Sequence, residues 1–174
     1  MKRSVAFLAV LCMLTACSFA QKKNPVTTVI REIMPRQQRN LQGAVETMPA
    51  DKFSFRPTDP QMTFGHLVVH VIDSNYYLCA KAVDVPQPKV DTPKETDKDA
   101  LLTALKASFE FCTANLAKVD DSKLGDTIEA YGGRAVPRAW ALIALTNDWA
   151  DHYAAAATYL RLNGLLPPTA QPKK

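Results

Sequence analysis

The stretch of residues 137–162 reads PRAWALIALTNDWADHYAAAATYLRL. It has the length and apolar spacing of one long amphipathic helix, and the Asn-Gly pair at 163–164 would end it. Asp148 and His152 stand four positions apart, so their side chains share one helix face. That face otherwise carries small and apolar residues, which predicts that it turns inward: Ala141, Leu145, Ala155, Ala156 and Tyr159.

A carboxylate on an inward face needs a partner, because an unpaired buried charge is costly. For Asp148 the partner could be a metal ion, a protonated histidine, or an arginine such as Arg56 or Arg161. With His152 one turn away, both side chains could reach the same ion. The residues of this helix alone leave these alternatives open.

His70 is the third candidate ligand. It lies on a polar stripe of a predicted second helix, beside the apolar arc that faces the core. Two imidazoles and one carboxylate suit Zn, Fe, Ni or Mn, with positions left open for water or substrate. His66, one turn before His70, could be an extra ligand, a hydrogen-bond donor to one of the ligands, or a surface histidine. The alternative to a metal site is a hydrogen-bonded pair of Asp148 and a histidine.

Three further helices are predicted, which makes the chain an all-α four-helix bundle. Helix one spans about 26–48 and contains Pro35, which should kink or split it. Helix two spans about 60–82 and helix three about 97–117, with apolar residues at helical spacing. Residues 119–136 are predicted to form a loop with one short strand pair.

The connection between helices two and three, residues 83–98, is polar and contains three prolines. It is longer than a tight helix–helix turn and could carry the chain back along the bundle, so that the two helices run parallel. Parallel helices would place Cys79 and Cys112 at similar heights. In an oxidising compartment this pair is either a disulfide or two buried thiols, and the sequence leaves both open.

Residues 1–20 have the pattern of a signal peptide, with a basic start, an apolar core and small residues near the end. Cleavage after Ala20 would release a soluble protein, whereas LTAC at 14–17 matches a bacterial lipobox in which Cys17 is lipidated. We therefore expect an exported protein, periplasmic or secreted. Its membrane contact would be limited to a lipid anchor at Cys17.

The charge and length of residues 21–174 limit the functions and the number of domains that they can have. They carry 19 Lys and Arg against 17 Asp and Glu, which is not the clustered basic excess of a nucleic-acid-binding surface. A chain of this length can bury one core of ordinary size, so residues 21–174 are predicted to form a single domain.

Two separated parts of the sequence resemble the DinB-like (YfiT-like) family in order and spacing. The first part comprises MPADKFSFRP at 48–57 and MTFGHLVVHV at 62–71. The second comprises DHY at 151–153, YLR at 159–161 and GLLPP at 164–168. The resemblance covers essentially the whole mature chain, and the family is unrelated to the DNA polymerase that shares its name.

The resemblance implies a bundle in up-down-down-up order, with a long crossover between helices two and three. It also implies a divalent metal held by one histidine of helix two and a His-x-x-x-His pair on helix four. His70 and His152 match this pattern. Asp148 stands at the first histidine of the pair, and Ala154 stands where a glycine is common.

Family members with known activities include thiol-dependent transferases and isomerases. The resemblance therefore implies a divalent-metal-dependent hydrolase or transferase that acts on a small molecule through metal-activated water or thiol. Export separates the protein from cytosolic thiols, which weakens the transferase hypothesis. The alternatives are a non-catalytic periplasmic bundle that binds a metal or small ligand, and a structural bundle with a vestigial site. A homodimer is compatible with each of these hypotheses.

Overall fold

The computed structural model describes residues 23–172, so the predicted signal peptide and Cys17 lie outside the described residues. The four helices are α1 (Pro25–Thr47), α2 (Phe64–Val83), α3 (Lys98–Leu116) and α4 (Ala139–Leu162). A short antiparallel hairpin, β1 (Thr127–Ala130) and β2 (Arg134–Pro137), precedes α4. The prediction of an all-α four-helix bundle is confirmed, as is the strand pair in the last loop.

Contacts near the helix ends fix the direction of each helix. Cys79 and Cys112 lie late in α2 and α3 and are bonded to each other, so these two helices run parallel. Lys98, at the start of α3, donates to two carbonyl oxygens at the end of α1, both at 2.8 Å. Phe64 starts α2 and contacts Tyr159 near the end of α4, with ring centroids 6.5 Å apart. The order is therefore up-down-down-up, as predicted.

The crossover, residues 84–97, runs back along the bundle to the first turn of α2. Glu95 accepts a hydrogen bond from Oγ1 of Thr63 at 3.0 Å and contacts Nδ1 of His66 at 2.7 Å. Its main-chain carbonyl lies against Gly65, where a Cβ would overlap the oxygen. Gly65 is required here because of this close backbone approach.

Helix α2 begins four residues later than predicted, at Phe64 instead of Pro60. Thr63 caps the helix by accepting a hydrogen bond from the amide of His66 at 3.0 Å. The amides of the first two helical residues donate to carbonyl oxygens of the preceding 53–55 segment, both at 2.9 Å. These long-range bonds set the boundary. In α1 the helix continues through Pro35 without being split.

The apolar helix faces form one core, which contains four large and fully buried aromatic side chains: Phe53, Phe64, Phe109 and Trp149. Cys79 and Cys112 are fully buried within it and form a disulfide that links α2 to α3. Within the described range, none of the helices is both long and apolar enough to cross a membrane.

Candidate metal centre

The inward faces of α2 and α4 bring His70, Asp148 and His152 together. Nε2 of His70 lies 3.2 Å from Oδ1 of Asp148. The imidazole rings of His70 and His152 stack, with centroids 4.4 Å apart and planes inclined by 30°. One ligand atom from each of the three residues lies within 4.8 Å of the others, which is a spacing that a single metal ion could bridge. This is the one such group among residues 23–172.

Asp148 has a buried carboxylate oxygen that a cation could satisfy. Its side chain is 12% exposed, and Oδ2 is buried without a hydrogen-bond partner among the described residues. Burying a carboxylate oxygen without a partner costs free energy, because the oxygen has lost its water. A metal ion between Asp148 and the two imidazoles would satisfy this oxygen. The residues present therefore fit a divalent cation.

The orientation of His152 is set by its own helix. Its Nδ1 lies 2.7 Å from the main-chain oxygen of Asp148, one turn earlier, and 3.5 Å from Oδ1 of the same residue. A neutral imidazole that donates from Nδ1 to a carbonyl keeps the lone pair on Nε2. This contact therefore favours the tautomer that binds a metal through Nε2.

His70 forms the more open side of the group, with 38% of its side chain exposed. Its hydrogen bond with Asp148 raises the pKa of the imidazole, and burial only partly opposes that effect. The hydroxyl of Ser74 lies 3.3 Å from the same Nε2 atom. Since a metal ion requires the neutral imidazole, proton and metal would compete at His70.

A buried polar chain beside the group fixes the position of α4 relative to α2. Trp149, next to Asp148, donates from Nε1 to Oδ1 of Asn75 at 2.7 Å. Asn75 in turn donates to Oγ of Ser108 on α3 at 2.9 Å, and that hydroxyl donates to a main-chain oxygen at 2.9 Å. Because the side chains in this series of hydrogen bonds are buried and paired, the series favours one register of the three helices.

A groove of about 500 Å³ opens next to His70. It is lined by side chains from α2, the crossover and the hairpin: His70, Asp73, Ser74, Tyr77, Gln87 and Tyr131. The Tyr77 and Tyr131 rings stack with centroids 4.0 Å apart and planes inclined by 19°. A small molecule could therefore reach the exposed side of His70 through this groove.

The other residues considered as partners lie elsewhere. His66 is paired with Glu95 of the crossover and is not in the three-residue group. Arg56 pairs with Asp59 at 3.1 Å, and Arg161 donates to a main-chain oxygen of its own helix at 3.4 Å. The partner of Asp148 in the described structure is therefore histidine.

Ser74 and Tyr131 were not predicted to lie at this site. The i, i+4 relation of Ser74 to His70 could have identified the serine, because it puts both on one face of α2. Tyr131 carries no such signal, since it reaches the groove from the hairpin, far along the chain.

Solved structures with the same fold come from several bacteria. A DinB-like protein from Bacillus subtilis matches with a TM-score of 0.67 and 21% identity, over 83% of this chain and 99% of that one. A conserved protein from Enterococcus faecalis matches with a TM-score of 0.61 and 17% identity, over 79% and 96%. A DinB-like protein from Bacillus cereus matches with a TM-score of 0.65 and 14% identity, over 80% and 93%.

The sequence itself identifies the family. No curated protein matches the chain. The family model of the DinB superfamily, however, matches residues 34–156, which is most of the chain and includes all three residues of the candidate metal centre. The helix order and the likeness to DinB-like structures agree with this match. The chain belongs to the DinB superfamily.

Proposed function

We propose that His70, Asp148 and His152 bind a divalent metal ion and that the protein is a metal-dependent hydrolase or transferase. The observation that carries this proposal is the unpartnered, buried Oδ2 of Asp148 beside two imidazoles. Two nitrogen ligands and one carboxylate are a donor set for Zn, Ni, Mn or Fe. When bound, such an ion would act as a Lewis acid and lower the pKa of a water or thiol ligand.

The residues around the group have distinct parts in this proposal. Asp148 supplies the negative charge that offsets the cation, and its main-chain oxygen holds His152 in the required tautomer. Asp148 and His152 are the more buried members, whereas His70 is exposed towards the groove. A substrate would therefore approach from the His70 side, where Ser74 offers a hydroxyl for a hydrogen bond.

The proposed cellular location is the bacterial envelope, either free in the periplasm or anchored through Cys17. The support is the signal-like pattern of residues 1–20 together with the cysteine pair of the folded domain, since stable disulfides are typical of oxidising compartments. In such a compartment water is the more available nucleophile, which favours hydrolysis over transfer from a low-molecular-weight thiol.

Turnover assays with the metal-loaded protein would separate this function from the alternative of a non-catalytic metal- or ligand-binding bundle. Suitable probes are a nitrophenyl ester, and a thiol supplied together with an aryl chloride. We expect metal-dependent turnover of one probe that is lost in His152→Ala and kept in His66→Ala. Stoichiometric metal and ligand-induced thermal stabilisation without turnover would instead favour the binding module.

A further inference from the structure

We propose that the groove beside the metal centre recognises a primary amine carried on a planar or apolar group. Asp73 would pair with the ammonium group, and the Tyr77–Tyr131 pair would contact the attached group. This inference deepens the proposed function, on which it rests for the reacting end of the substrate.

One stripe of α2 lines the floor of the groove. His70, Asp73, Ser74 and Tyr77 follow one another at helical spacing, so they lie on the same side of the helix. At 1.5 Å per residue, Asp73 lies about 5 Å and Tyr77 about 10 Å beyond His70 along the axis. A molecule bound along this side of α2 would thus contact the metal centre at one end, the Asp73 carboxylate in the middle and the aromatic rings at the other end.

Asp73 is a charged group that lacks a partner. Its side chain is exposed in the groove and forms no hydrogen bond or ion pair within residues 23–172. Partial desolvation of the Tyr131 hydroxyl raises its pKa to about 12, and the charges of Asp148 and Asp73 add to that rise. The exposed carboxylate of Asp73 gives the groove a negatively charged group with which a cation can pair.

The aromatic end of the groove also favours cations. Tyr131 is 60% exposed although its ring stacks on Tyr77 and makes a T-shaped contact with Trp140, with ring centroids 6.1 Å apart. Cations of the chain already occupy neighbouring ring faces: Nζ of Lys81 lies 5.7 Å from the Tyr77 centroid, and the Arg134 guanidinium lies 5.6 Å from that of Trp140. The open surface of Tyr131 can receive a ligand's planar group or its cation in the same way.

These positions also constrain the substrate. An ammonium group on Asp73 would lie about one helical turn from the metal centre, so the amine and the reacting group would be a few bonds apart. Gln87, from the crossover, also lines the groove, and its amide can form a hydrogen bond with a polar substituent. A carboxylate in place of the amine would face Asp73 and be repelled.

Ligand-observed NMR with three probes of similar shape tests this inference. The probes are phenethylamine, neutral phenylethanol and anionic phenylpropanoate, each titrated to about 10 mM, a range that detects millimolar binding. Wild type, Asp73→Asn and Tyr131→Ala are compared with Asp151→Asn, which removes an exposed carboxylate of α4 outside the groove. Each protein is measured both zinc-loaded and metal-free.

We expect saturable binding of phenethylamine, weaker binding of phenylethanol and none of phenylpropanoate. Asp73→Asn should weaken amine binding about fivefold to tenfold, Tyr131→Ala should weaken it as well, and Asp151→Asn should leave it unchanged. Equal binding of all three probes, no amine binding, or amine binding unaltered by Asp73→Asn would overturn the inference. Because Asp73 and Tyr131 are not candidate ligands, amine binding should persist without metal. A protein that binds the amine but never zinc would contradict the proposed function alone.

Discussion

The indole Nε1 of Trp149 donates a 2.7 Å hydrogen bond to Oδ1 of Asn75 in the buried contact between α4 and α2. Trp149 directly follows Asp148, and Asn75 lies little more than one turn after His70. The bond therefore fixes the two helices relative to each other at the level of the candidate metal centre. Its loss should affect both stability and the geometry of the three-residue group.

Replacing Asn75 by Ala should lower the free energy of unfolding by about 3 kcal/mol. The substitution leaves the Trp149 Nε1–H buried without an acceptor, removes the donor to Ser108 and opens a small cavity. Urea unfolding would measure the change. Asn147→Ala, an exposed position on α4, is the control and should change stability by less than about 0.5 kcal/mol. Equal effects of the two substitutions would contradict the role of this contact.

The Cys79–Cys112 disulfide should contribute about 3–4 kcal/mol, as expected for a cross-link between residues 33 positions apart. Comparing the oxidised wild type with the Cys79→Ala/Cys112→Ala double variant in urea would measure it. Because both cysteines are fully buried, reductant should act slowly on the native protein and rapidly near the unfolding midpoint. Rapid reduction under native conditions would show that the bond is accessible.

Gly65→Ala should destabilise the protein by about 2 kcal/mol or more and loosen the crossover. The added Cβ would overlap the main-chain oxygen of Glu95, so either the crossover or the first turn of α2 must shift. Hydrogen exchange in the crossover, together with thermal unfolding, would detect this. Gly125→Ala is a suitable control, because a Cβ there meets open space. Unchanged exchange in Gly65→Ala would be inconsistent with the close approach.

The contact between Glu95 and His66 should make stability depend weakly on pH in the acid range. The hydrogen bond with His66 lowers the pKa of Glu95 below its usual value near 4.5. Its contribution is therefore present above that value and is lost as the pH falls through the lowered pKa. The side chain is 44% exposed, so solvent screening limits the effect to less than about 1 kcal/mol.

Urea unfolding at about pH 6 and about pH 3 would measure this contribution. Glu95→Gln should reduce the loss of stability on acidification, because an amide does not titrate. Glu110→Gln, which changes an exposed carboxylate of α3 outside the crossover, is the control. A greater loss in Glu95→Gln than in wild type would contradict the assigned sign.

Much of the fold followed from local patterns. Apolar spacing identified the four helices, and the length of the 83–98 connection indicated that α2 and α3 run parallel. The start of α2 was missed, because Phe64 and Gly65 donate to carbonyl oxygens of an earlier segment that sequence spacing does not reveal. Pro35 did not split α1, although proline lacks the amide hydrogen that a helix interior uses.

Part of the candidate site could likewise be predicted from the sequence, and part of it could not. The four-residue spacing of Asp148 and His152 and the inward face of α4 were visible in the sequence. Which histidine of α2, His66 or His70, lies beside Asp148 and His152 depends on the rotation of α2 about its axis, and packing decides that rotation. Tyr131 was not predictable, because a hairpin brings it to the groove from a segment without helical periodicity.

The proposed role of His70, Asp148 and His152 is to hold one divalent ion. Its most direct test is the zinc stoichiometry of protein purified without chelator, measured by equilibrium dialysis with circular dichroism to verify folding. We predict one ion per chain in wild type and in His66→Ala, and at least about tenfold weaker binding in His152→Ala. The claim would be contradicted if the folded wild type bound no stoichiometric Zn, Ni, Mn or Fe, or if His152→Ala bound zinc as tightly as wild type.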